Sequence, residues 1–154
     1  MAHDVFISHS NDNIIIVRKV ETILKANNIT CFISEKSVSV SEEWKDRIVT
    51  EIKECNLFII ITSKFAVESK YVSRELGEAD NANKPIFQIR VDKHPLSGNL
   101  SLPLQGIQHI ENDRKLSNIS RIVSYVCEIL NTPPPPNTIT IKKIIFLYTD
   151  YLLL

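Results

Sequence analysis

"LFIIIT", residues 57–62, decides the fold. Five apolar residues in succession, closed by a threonine, show none of the in–out alternation of a half-buried strand. Both faces of such a strand need cover, as in the middle of a parallel sheet with helices on each side. The chain on either side repeats that unit. "DVFIS" (4–8) is a short run of β-formers, and the polar "HSNDN" after it leads into a helix with Ile16, Val20, Ile23 and Leu24 on one face. Asn27 and Asn28 read as the stop of that helix before a second strand, "ITCFI" (29–33). The polar loop "SEKSVSVSEE" (34–43) then enters a helix striped by Trp44, Ile48, Ile52 and Cys55, and Ser39 with Glu42 has the spacing of a capping box. After the 57–62 strand come a helix over 68–82, a fourth strand in "KPIFQIRVD" (84–92) and a weaker fifth in "IQHI" (107–110). A last helix carries Ile119, Ile122, Val123, Val126, Ile129 and Leu130. Five strands alternating with helices predict an α/β fold, a flavodoxin-like, doubly wound, five-stranded parallel sheet.

"PPPP" at 133–136 cannot continue a helix. It divides the chain into a domain over 1–131, a proline-rich linker over 132–138 and an apolar tail over 139–154. The tail is interrupted by Lys142, Lys143 and Asp150, so it lacks the roughly 20 uninterrupted apolar residues of a membrane span. Three readings of it stand open: packing on the domain or on another copy, an interfacial anchor, or the start of a longer segment.

The 18 basic and 18 acidic residues cancel, so no global field draws the protein to nucleic acid or to an anionic membrane, and neither is expected as a partner. The start, "MAHDVFISHS", has an acid where a secretory leader carries positive charge, which points to the cytoplasm. Cys31, Cys55 and Cys127 are odd in number, far apart and set in apolar runs, as reduced core thiols are. His3, His9, His94 and His109 are scattered, and no metal site or cofactor is expected.

An open α/β sheet binds ligands beyond the carboxyl ends of its strands. Those positions read Ser8-His9-Ser10, Ser34-Glu35-Lys36, Thr62-Ser63, and Arg90 with Asp92. Three glycines, Gly77, Gly98 and Gly106, make neither a dinucleotide fingerprint nor a phosphate loop, and no GxSxG elbow is present. A receiver domain needs an acidic cluster after its first strand and an aspartate at the end of its third; Ser-His and Thr62-Ser63-Lys64 stand there instead. In the 68–82 helix, Val72, Leu76 and Ala79 form the inward stripe. Tyr71 and Glu75, one turn apart, fall on its flank, where Glu75 is expected to be half buried at the edge of the cleft.

Taken together, "DVFISHS" (4–10), "FISEKSVSVSEEWKDRIVTEIKEC" (32–55), "LFIIITSKF" (57–65) and "ESKYVSRELGEA" (68–79) resemble a bacterial TIR (Toll/interleukin-1 receptor) domain, in register from residue 3 to about residue 130. The resemblance implies a cytoplasmic signalling or defence protein. In many members it also implies cleavage of the nicotinamide glycosidic bond of NAD+, as substrate rather than cofactor. The family's catalytic glutamate lies four residues after an aromatic on the helix following the third strand, which matches Glu75 and Tyr71; the aromatic is often Trp, and Tyr71 departs from that. As substrate contacts the resemblance and the strand-end positions name Ser8, His9, Ser34, Lys36 and Tyr71. His9 is weighed equally as a structural or loop-capping residue, and Trp44 is read as core. The implied partners are further copies of the domain, with the 34–43 loop placing Lys36 near the adenine or phosphate end of the substrate, and a separate sensor or effector protein. Two other classes stay open: a non-catalytic TIR scaffold acting by homotypic binding, and a nucleoside-processing enzyme on a related α/β layer.

Overall fold

A computed structural model of the chain describes residues 2–34, 41–111 and 118–133. Five strands, β1 (Val5–Ser8), β2 (Cys31–Ile33), β3 (Leu57–Thr62), β4 (Ile86–Arg90) and β5 (His109–Glu111), form one sheet in the order β2-β1-β3-β4-β5, every pairing parallel. The helices are α1 (Ile14–Ala26), α2 (Glu42–Glu54), α3 (Lys64–Glu68), α4 (Lys70–Asn81) and α5 (Ile119–Ile129). This is the flavodoxin-like arrangement, with the strand order reversing between β1 and β3.

Register and parity divide the strand residues between two cores. Val5, Ile7, Cys31, Leu57, Ile59, Ile61, Phe87, Ile89 and Ile110 pack with α1 and α5. Phe6, Phe32, Phe58 and Ile60, with the partly buried Ile86, pack with α2, α3 and α4. The two sets alternate along each strand because successive side chains point to opposite faces. β3 is buried at all six positions, as the 57–62 run predicts.

Three helices end by one device. Asn28, Asn83 and Asn131 have φ of 60°, 51° and 52°, the left-handed conformation that asparagine tolerates better than most residues. Around each, two backbone bonds close the helix end: Asn28 and Ile29 donate to Lys25 and Leu24, Asn83 and Lys84 to Asp80 and Ala79, and Asn131 and Thr132 to Glu128 and Cys127. The helix stop expected at Asn27–Asn28 is therefore a Schellman turn centred on Asn28, and α5 ends at its own asparagine ahead of the prolines.

Two expectations change. The helix expected over 68–82 is α4, and a separate short helix, α3, precedes it. α3 ends at Ser69, whose backbone is extended and whose hydroxyl accepts the N–H of Val72, so Ser69 closes one helix and caps the next. Val72, Glu75, Leu76 and Ala79 of α4 are buried. The α2 cap is Ser41, which accepts the N–H of Trp44, whereas Ser39 lies outside the described residues. Trp44 itself is only partly buried, lying 5.9 Å from the Phe32 ring with the Arg47 guanidinium over both. The 34–43 loop beyond Ser34, and the chain after Pro133 with its linker and tail, also fall outside the described residues apart from the loop's final residues.

All three cysteines are free and buried. Burial pushes the Cys31 thiol up to about 12 and raises that of Cys55. Because the folded value is raised, the contribution of Cys31 to stability is complete below the ordinary thiol range and is lost as pH climbs from there toward 12. Native protein at pH 8 should therefore resist alkylation at Cys31 and Cys55 and react there only after denaturation. Rapid native labelling of Cys31, read by peptide mass spectrometry, would contradict this packing.

Candidate functional site

The site is assembled by strand parity. Ser8 is two residues beyond Phe6 and Ser34 two beyond Phe32, so both serines leave the sheet on the face that α4 covers. Ile7 is paired with Ile33, which puts Ser8 and Ser34 level on adjacent strands, one step past that pair. α4 packs on β1 and β3 and beside α2, and from it Glu75 meets both serines. The Ser8 hydroxyl donates to Glu75 Oε2 at 2.5 Å and the Ser34 hydroxyl to Oε1 at 2.6 Å. These lengths belong to hydroxyl donors on a carboxylate.

Glu75 is only 5 % exposed. It is not the half-buried edge residue that the helical wheel suggests. Its place in the pattern 72, 75, 76, 79 is a full core position, and a carboxylate can occupy it because the strand ends supply hydroxyl partners there. Tyr71, one turn earlier, is 45 % exposed and is one of three exposed large apolar side chains among the described residues. His9 follows Ser8 and is completely buried. Lys36 lies outside the described residues.

The carboxyl edge of the sheet carries more buried polarity than its sequence suggests. Gln88 Nε2 donates to Thr62 Oγ1 at 2.9 Å, on the same face as Ser8 and almost fully buried. Across the other face, Ser63 donates to Asn13 Oδ1 at 2.7 Å while accepting the N–H of Ala66, tying the end of β3 to the start of α1 beside the switch point. Gln88 does not stand out within "PIFQIRV" as a site residue. The available signal is a lone amide in a strand that an enclosing sheet must bury on both faces. The arrangement amounts to a buried carboxylate, held by two hydroxyls, at the carboxyl edge of the sheet, the edge at which open α/β sheets take ligands. Such a group can accept hydrogen bonds from ligand hydroxyls and face developing positive charge.

A family model described as TIR domain matches residues 5–123. No curated protein matches the sequence. Among solved structures, the TIR domain of the Toll-related receptor TRR-2 from the lower metazoan Hydra magnipapillata is similar with a TM-score of 0.62 at 14 % identity, covering 83 % of this chain and 98 % of that one. The CMP N-glycosidase BcmB of Clostridium botulinum is similar with a TM-score of 0.60 at 16 % identity, over 79 % of this chain and 98 % of that one. The TIR domains of the activated Roq1 resistosome, which recognises the pathogen effector XopQ, give a TM-score of 0.53 at 14 % identity, over 98 % and 99 %. At these identities the likeness is one of fold.

Proposed function

The chain belongs to the TIR domain family, and from that premise we propose that it is an NAD+ nucleosidase, cleaving the bond between nicotinamide and ribose with Glu75 as the catalytic group. The observation that carries this reading is the Glu75 carboxylate, fixed by Ser8 and Ser34 at the carboxyl edge of the sheet. Breaking the bond leaves an oxocarbenium-like ribose, whose anomeric carbon is then bonded by water, which gives up a proton to form ADP-ribose, or by a nucleophile of the same molecule to form a cyclised product. A carboxylate that accepts from the ribose hydroxyls and faces that charge stabilises the transition state more than the ground state. The pyridinium nitrogen takes the bonding pair and departs as neutral nicotinamide, so the acid partner of ordinary glycoside hydrolysis is not required. Tyr71, exposed one turn from Glu75, offers a ring on which the departing base stacks.

The reading includes self-association in a signalling or defence setting. The test is to incubate purified protein separately with NAD+, with CMP and with a panel of nucleosides, over a range of protein concentrations and with a crowding agent, and to follow release of the free base chromatographically. Nicotinamide should appear, with a rate per molecule that rises with protein concentration. Cleavage of CMP or nucleosides with NAD+ left intact would replace this reading by a nucleotide N-glycosidase. Absence of any turnover across the whole range would leave a scaffold acting through TIR contacts alone.

A further inference from the structure

Ser8 and Ser34 occupy strand-end positions where substrate contacts are expected, but their geometry assigns them a different task. Both are completely buried, and each spends its single hydroxyl proton on Glu75, one on each carboxylate oxygen. Ser8 is the last residue of β1 and Ser34 the first after β2, on strands locked together by the Val5–Cys31, Phe6–Phe32 and Ile7–Ile33 pairs. Neighbouring strands lie about 4.8 Å apart, so two hydroxyls at one level straddle a single carboxylate. A carboxylate gripped at both oxygens cannot turn about its terminal bond. The rigid β1–β2 ladder, and not the helix that bears it, then sets the plane of the group.

We infer that Ser8 and Ser34 are positioning residues that clamp the Glu75 carboxylate and fix its orientation toward the ribose. This rests on the reading of Glu75 as the catalytic group. A preoriented dipole or charge contributes to rate because it need not reorganise as the reaction proceeds, and a misplacement of about 1 Å can cost on the order of 10²-fold. Hydrogen bonds donated to a carboxylate favour its ionised form, so their loss moves its protonation to higher pH.

The test compares wild type with Ser8→Ala and Ser34→Ala, measuring kcat and KM for nicotinamide release from pH 4 to pH 9. The same three proteins, with carbon-13 in the glutamate carboxyls, are titrated by NMR, the Glu75 signal being the one lost in Glu75→Gln. Each alanine variant should lower kcat by about tenfold to 10²-fold with little change in KM. The acid limb of its rate profile, and the Glu75 titration, should move to higher pH. Ser34→Thr, which keeps the hydroxyl, should restore most of the rate. A rise in KM alone, or an unmoved Glu75 titration, would overturn the clamp and return the serines to substrate binding or packing. Should an alanine variant fail to fold, Ser8→Cys and Ser34→Cys carry the same comparison with a weaker donor of similar shape. If wild type releases no nicotinamide, the proposed activity falls, and the NMR titration still decides whether the serines hold the carboxylate.

Discussion

Glu75→Gln should lose nicotinamide release by on the order of 10³-fold while the domain stays folded, because the substitution keeps the shape of the side chain and removes the charge that the transition state meets. The folded state should survive for a specific reason. Ser8 and Ser34 are hydroxyls that turn to donate to the amide oxygen or accept from the amide nitrogen, so neither serine is left without a partner. Glu75→Ala is the poorer control: it opens a space at a position only 5 % exposed and takes away what both serines bond. The measurement is initial rate at matched protein concentration, beside a circular dichroism melt. A Gln variant that retains a tenth or more of the wild-type rate would remove Glu75 from the chemistry.

Phe58→Ala should be the most damaging single change to stability, at about 3–5 kcal/mol. Phe58 is fully buried in β3, the strand shared by both halves of the sheet, and its ring stacks on Phe6 at 5.4 Å, with Phe6 in turn stacked on Phe32 at 5.5 Å. That row of rings fills the space between the sheet and the helices on the α4 side, directly below Ser8 and Ser34 in strand sequence. Domains of this size have about 5–15 kcal/mol in total, so the variant should unfold at markedly lower denaturant concentration or fail to accumulate. A loss under about 1 kcal/mol in chemical denaturation would mean that the stack relaxes around the gap.

The two predictions depend on different kinds of information. Phe58 as core can be read from "LFIIIT" alone, since six residues with no polar alternation have one physical solution, a strand covered on both faces. The succession of strands and helices, the asparagine stop at Asn28 and the inward stripe Val72, Leu76, Ala79 are open to the same local reading, because side-chain period and backbone conformation are properties of neighbours in the chain. The break at Ser69 is not, for "VESKYVS" contains no glycine or proline, and whether a serine caps a new helix or continues an old one depends on the surface the helix must reach. The burial of Glu75 is likewise out of reach. Its partners lie 67 and 41 residues away in sequence, and a glutamate on a helical wheel looks the same whether it meets water or two hydroxyls. Periodicity determined the five strands, the helices other than α3, and the apolar stripes that they bury. Only the closing of β1, β2 and α4 around one point decided that Ser8, Ser34 and Glu75 form a single group, since hydrogen bonds between side chains depend on distance in space, which local pattern does not encode.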